Sequence, residues 1–252
     1  MRECAGAETA IPGVGVSITS RPNSNRRFAS GTDRRRENAS VIQQERGRTR
    51  DVRSVAASDF ATVWLTGLSG AGKTTIAQAV EKLISELGFP CCVLDGDELR
   101  RALSSDLGLS REDRREHARR VAYVAAMLAA AGTLPIVALI SPYAEDRKRA
   151  RAIHEAAGLR FVEVWVDTPI GVCAARDPKG LYAKAAAAEA TDREMPSDGS
   201  GLTGVAAPYE APADPDLRVA GHGQHPRAAA EQILAATLSG GVELGLGIQD
   251  IG

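Results

Sequence analysis

The stretch Gly67-Leu68-Ser69-Gly70-Ala71-Gly72-Lys73-Thr74 has the residue types and spacing to hold phosphate. It fits the pattern G-x-x-x-x-G-K-[ST], the P-loop. Gly67, Gly70 and Gly72 let the backbone bend tightly, so that amides through Ser69 and Ala71 can face phosphate oxygens. Lys73 can then reach the β- and γ-phosphates of ATP, and the Thr74 hydroxyl can bind Mg²⁺. A helix from Thr75 onward offers its positive N-terminal end to the same anion.

A second candidate is Asp95-Gly96-Asp97, about thirty residues after the start of the loop. Alone it is turn chemistry. At the carboxyl end of a strand near bound phosphates, its carboxylates could serve Mg²⁺ (Asp95) or a substrate hydroxyl (Asp97). Ser141, after a third apolar run, occupies the corresponding position. Arg111 to Arg120 is dense in charge. Such a run is usually a solvated face, but Arg114 and His117 share one side at i, i+3. A site for two polyanions needs fixed cations, which keeps Arg114 a candidate.

The elements that would position these groups are legible. Thr62–Thr66 is a β-branched, apolar run before the loop. Ile76, Val80, Leu83, Ile84 and Leu87 follow at helical spacing, and Gly88 stops them. Cys91–Leu94 and Leu134–Ile140 predict buried strands, Phe161–Val166 a fourth, and Asp216–Val219 a short last one. Helices are expected over Glu98–Leu103, from a Ser110 cap to Ala131, and over Ala144–Ala157, Pro169–Ala175 and His225–Leu238. An alanine-rich helix follows Tyr182, and Thr191–Gly204 reads as a loop able to order on a ligand. Alternation of strand and helix predicts an α/β fold of the P-loop NTPase kind, a five-stranded parallel sheet with helices on both faces. In such sheets ligands bind beyond the strands' carboxyl ends, where the three motifs fall.

The 252 residues suffice for one domain with extensions, and 44% hydrophobic content can furnish a core. The formal net charge of −1 conceals an uneven split. Residues 1–58 hold eleven Arg, no Lys and six acids, a net of +5. They have few large apolar residues and no sustained period, and are expected to be disordered. Interspersed acids, with Phe28 the single aromatic, favour a solvated tail or an upstream extension over a nucleic-acid arm or transit peptide. The domain is expected over 59–239, with a loosely attached tail over 240–252. The four cysteines show neither a paired framework nor metal spacing, which fits a cytoplasmic protein. No run approaches membrane-spanning length.

From Ala61 to Leu238 these motifs resemble the adenylylsulfate kinase family, which phosphorylates the 3′-hydroxyl of adenosine 5′-phosphosulfate. The resemblance rests on Thr66–Thr74, Leu94-Asp95-Gly96-Asp97 with Arg100, Ile140-Ser141-Pro142-Tyr143 and Ala175-Arg176-Asp177-Pro178-Lys179-Gly180-Leu181-Tyr182. Leu202-Thr203-Gly204 and Pro208-Tyr209-Glu210-Ala211-Pro212 follow in the same order. It implies a P-loop kinase fold with a lid, ATP and Mg²⁺ as cofactors, and a soluble small-molecule acceptor, with pairing of copies common. It also implies acceptor contacts at Asp97, Arg100, Arg114, Ile140, Ser141 and Lys179, with Arg176 on the nucleotide side. Asp97 would hold or deprotonate the hydroxyl, and Ser141 would orient the acceptor rather than carry phosphate.

The chain departs from the family pattern on the acceptor side. Leu109 and Leu202 stand where phenylalanines usually sandwich the adenine. His117 stands where asparagine is usual. Ala185–Ser200 is longer and lacks the family's arginine after the lysine helix. None of these touches the ATP phosphates. Two alternatives remain: a P-loop kinase of another small acceptor, and a nucleotide-binding regulator without turnover. Lys73, Thr74, Asp95, Asp97 and Ser141 all argue against the second.

Overall fold

A computed structural model describes residues 61–189 and 201–237. The Arg-rich extension, most of the loop before Gly204 and the C-terminal tail lie outside those residues. Five parallel strands form one sheet: β1 (Ala61–Thr66), β2 (Cys91–Asp95), β3 (Leu134–Ala138), β4 (Arg160–Asp167) and β5 (Leu217–Ala220). Their order is β2-β3-β1-β4-β5, which puts the strand feeding the P-loop at the centre. Every residue of β1 is buried. A central parallel strand is covered on both faces, so an unbroken apolar and threonine run suits it better than alternation.

The helices are α1 (Lys73–Glu86), α2 (Gly96–Ala102), α3 (Arg111–Ala130), α4 (Ala144–Ala156), α5 (Ile170–Arg176), α6 (Leu181–Glu189) and α7 (Pro226–Thr237). α1 and α7 pack together against one face of the sheet, α3 and α4 against the other. On the second face Trp64 and Phe161 meet with ring centroids 5.6 Å apart, beneath Ala118, Val121, Ala122 and Ala125 of α3. Small residues along that stripe let the helix lie close over the two rings, which supply the bulk.

Three local expectations are corrected. β2 was expected to be a buried strand, but it is the sheet edge and Leu94 is its one buried residue. α1 begins at Lys73 rather than Thr75, because Gly72, at φ 103°, ends the loop in a left-handed conformation. α2 begins at Gly96 rather than Glu98. Asp95 is its N-cap and accepts the Asp97 amide at 2.9 Å. The sequence offered Asp95-Gly96-Asp97 as a turn, and one carboxylate makes it a helix start instead. The Ser110 cap stands as expected. Its hydroxyl accepts the Asp113 amide and donates to the Asp113 carboxylate.

Candidate functional site

The P-loop folds around its own lysine. Lys73 is 9% exposed, and its Nζ donates to the carbonyls of Gly67 (2.9 Å) and Leu68 (2.7 Å). Burial, with the Lys179 charge nearby, pulls its pKa down to about 8. An ammonium so desolvated has much to gain from an anion beside it. The loop's other carbonyls are also engaged. Ser69 accepts from the Tyr182 hydroxyl at 3.0 Å, Gly70 from Arg176 at 3.2 Å, and Ala71 from Thr168 at 2.9 Å.

Glycine is dictated by contact at two places here. A Cβ on Gly67, itself at φ 152°, would stand 2.7 Å from the Val166 carbonyl oxygen. One on Gly221, just past β5, would lie 2.1 Å from both the Ala71 oxygen and Thr168 Oγ1. Gly221 also presents its carbonyl to Arg176 at 2.9 Å. Two strand ends therefore approach the loop with no room for a side chain.

Beside the loop, the Thr74 hydroxyl donates to Asp95 Oδ2 at 2.8 Å. These are hard oxygen donors, the chemistry Mg²⁺ selects. One hydroxyl and one carboxylate are typical of a protein that leaves remaining positions to phosphate and water. Among the described residues no cluster of three metal-ligating His, Cys, Asp or Glu side chains occurs.

The side of the site across from the loop is built from side chains. Lys179 and Asp97, 82 positions apart, form an ion pair. Arg100 donates to the Gly108 carbonyl at 2.6 Å. Arg114 donates to the Leu109 carbonyl (2.8 Å), Thr203 Oγ1 (3.1 Å) and the Gly201 carbonyl (2.9 Å). One guanidinium thus fastens the segments that carry Leu109 and Leu202. Leu109 is 47% exposed. His117 is buried, its Nδ1 2.9 Å from Ser104 Oγ, and its Nε2 has no hydrogen-bond partner. Burial and the Arg100 charge push its pKa down to about 4, so the imidazole is neutral at ordinary pH.

Ser141 is held more firmly than its sequence context suggests. Its φ of 36° lies in the left-handed region, unusual for serine. Trp64 Nε1 donates to its hydroxyl at 3.0 Å, and the hydroxyl points back at the Leu139 carbonyl, 3.4 Å away. Arg147, paired with Glu163 at 2.7 Å in the interior, donates to the Ser141 carbonyl at 2.9 Å. Surroundings that fix both ends of a strained residue are what allow the strain to persist. Ile140 beside it accepts from Thr66 Oγ1 at 2.7 Å.

All of this surrounds one cavity of about 860 Å³. Of the residues singled out from sequence, only Gly67 and Ala71 do not line it, and both are buried beneath the loop. Asp97, Arg100, Leu109, Arg114, His117, Ile140, Ser141, Lys179 and Leu202 come together on one side. Ser69, Gly70, Gly72, Lys73, Thr74, Thr75, Asp95 and Arg176 form the other. Sequence reasoning missed Gly221 and Thr168, and it named Tyr182 and Trp64 without their roles: the first three shape the loop from behind, and Trp64 holds Ser141. Gly221-His222-Gly223 at a strand's carboxyl end was a readable sign of close backbone approach.

A central strand feeding a P-loop that opens a helix, with a second polar wall across a shared cavity, is the architecture of the P-loop kinase fold. The family profile described as adenylylsulphate kinase matches residues 59–220, more than half of the chain, and the protein belongs to that family. It is 50% identical over 158 residues to the bifunctional enzyme CysN/CysC of Mycobacterium tuberculosis, covering 63% of this chain and 24% of that protein. It is 46% identical over 161 residues to the adenylyl-sulfate kinase of Saccharomyces cerevisiae, covering 64% of this chain and 75% of the yeast protein. Among solved structures it resembles the M. tuberculosis APS kinase CysC in complex with AMPPNP and APS, with a TM-score of 0.64 and 45% identity. That match covers 70% of this chain and 96% of the other.

Proposed function

We propose that this protein transfers the γ-phosphate of ATP to the 3′-hydroxyl of adenosine 5′-phosphosulfate. The observation that carries the reading is the cavity itself. Its P-loop wall faces a wall bearing Asp97, Lys179, Arg100 and Arg114, residue types suited to a sulfated nucleotide. Family membership and the M. tuberculosis structure with AMPPNP and APS support the same pair of ligands.

Lys73, the loop amides and the start of α1 bind the nucleotide's phosphates. Thr74 and Asp95 would hold Mg²⁺, which when bound neutralises phosphate charge. Asp97 orients the acceptor hydroxyl and takes its proton, with Lys179 keeping the carboxylate in place. Ser141, its hydroxyl engaged by Trp64 and turned toward the Leu139 carbonyl, shapes the acceptor wall and carries no phosphate. Direct in-line transfer is part of the proposal, because P-loop kinases work by positioning and charge neutralisation.

No helix among the described residues is long and apolar enough to cross a membrane. The three described cysteines, Cys91, Cys92 and Cys173, are free thiols, which supports a cytoplasmic location; that location and pairing of two copies are part of the proposal. The test is ADP release by the purified full chain across a panel of hydroxyl acceptors, with Lys73→Ala as control. Adenylylsulfate-dependent release is expected from the parent. The variant should lose at least about a hundredfold, the usual scale for removing a main charge-stabilising group. Turnover of another acceptor but not adenylylsulfate would shift the assignment to a kinase remodelled at Leu109, His117 and Leu202.

A further inference from the structure

The P-loop of this protein is braced from behind. We propose that Thr168 and Tyr182 are positioning residues that turn the Ala71 and Ser69 carbonyls away from the nucleotide and thereby aim the loop's amides at its phosphates. The proposal rests on the reading of the cavity as an ATP site. It adds residues outside the P-loop motif, neither of which lines the cavity.

In a trans peptide the carbonyl of one residue and the amide of the next point in opposite directions. Holding the Ser69 carbonyl outward therefore fixes the Gly70 N–H inward, and holding the Ala71 carbonyl outward fixes the Gly72 N–H inward. Tyr182 donates to the first at 3.0 Å across 113 positions, and Thr168 donates to the second at 2.9 Å across 97. Both donors are buried. Burial pushes the Tyr182 hydroxyl up to about 12, so it stays protonated and able to donate at working pH.

Glycines make this brace necessary. Gly70 and Gly72 have φ values of 76° and 103°, and a residue without Cβ has many other conformations within reach. A loop of this composition would not hold its amides convergent unaided. Without a donor behind it, a carbonyl can rotate toward water or toward Lys73. The nucleotide must then restore the binding conformation, and apparent affinity falls by the fraction of loops correctly set. Gly221 belongs to the same arrangement, since its missing side chain is what lets Thr168 reach Ala71.

Tyr182 also stands three residues beyond Lys179, the partner of Asp97. Its bond to Ser69 joins the segment that carries the acceptor-side lysine to the loop that holds ATP. Loss of the hydroxyl should disturb ATP binding first and acceptor binding second.

The experiment compares the full-length parent with Tyr182→Phe, Thr168→Val and Thr168→Ser. It measures AMPPNP affinity by calorimetry with Mg²⁺ and no acceptor, steady-state constants, and melting temperature. Phe keeps the ring and Val keeps the shape, so each removes one donor. A buried acceptor left without its donor costs enough to weaken AMPPNP binding by about tenfold in each variant. KM for ATP should rise alongside, kcat at saturation should hold within about threefold, and Thr168→Ser should restore affinity. Unchanged AMPPNP affinity in Tyr182→Phe and Thr168→Val would overturn the proposal, even with a lowered melting temperature. Should Tyr182→Phe fail to fold, the Val and Ser pair at 168 decides alone. A parent that does not bind AMPPNP would overturn the ATP reading, and this proposal with it.

Discussion

The two walls of the cavity are made of different material. The nucleotide wall is backbone: glycines packed against carbonyls, with a lysine folded among them and donors behind. The acceptor wall is side chain: an ion pair between Asp97 and Lys179, two leucines, and an arginine holding two segments. On the first wall the backbone geometry leaves an added methyl at Gly67, Gly70 or Gly221 nowhere to go. On the second, a side chain can be exchanged for another and leave the frame standing. The departures at Leu109, His117 and Leu202 fall on the second wall, and the one at 185–200 lies mostly outside the described residues. The second wall is where physical tolerance is greater.

Gly221→Ala strikes the backbone wall hardest. Its Cβ would sit 2.1 Å from a backbone oxygen and from Thr168 Oγ1, so the P-loop must shift. A displacement of about 1 Å near reacting groups can cost about a hundredfold in rate. We expect that loss in kcat/KM for ATP, with adenylylsulfate KM changed far less. Comparable loss for both substrates would mean that the walls are not separable.

Leu109→Phe with Leu202→Phe tests the other wall. An aromatic ring stacked on a base contributes about 1–3 kcal/mol, and leucine retains only the apolar part. The double variant should lower adenylylsulfate KM by roughly ten- to hundredfold at about 1.4 kcal/mol per tenfold. ATP KM should not move. Steady-state kinetics varying each substrate in turn reads both.

His117→Asn has the smallest effect, and it appears in stability. The folded His117 has a pKa near 4 against 6.5 when exposed. Between those values the unfolded chain binds more protons. This contribution is therefore complete above pH 6.5 and is lost as pH falls toward 4. Buried His154, also shifted down by burial, has the same sign but is present in both proteins. Urea unfolding at pH 7 and pH 5 should show the variant losing roughly 1–2 kcal/mol less on acidification. Equal losses would show that His117 is not titrating with the fold.

How far the sequence revealed this molecule follows the same division. The P-loop and its flanking elements were legible because glycine, lysine and β-branched residues carry their constraints locally. The parallel sheet followed from alternation. Boundaries failed where one side chain decided them, as Asp95 does for α2. β2 looked buried because Cys91–Leu94 is apolar, yet which strand lies at the edge depends on pairing order. The braces on the loop were invisible because each spans about a hundred positions and uses an ordinary hydroxyl. Ser141 was found as a residue, but its bond to Trp64 was not. A tryptophan in a core strand reads as bulk until the partner of its N–H is located.

Arg114 has a consequence for how this site can change over generations. Because its guanidinium holds both the Leu109 and the Gly201–Thr203 segments, those segments share one fastening. Substitutions at 109 and 202 should then be epistatic. Residues coupled through a common partner do not contribute additively. A lineage that enlarged one leucine alone would push on the shared fastening and move the other. The route of least resistance exchanges both while Arg114 stays.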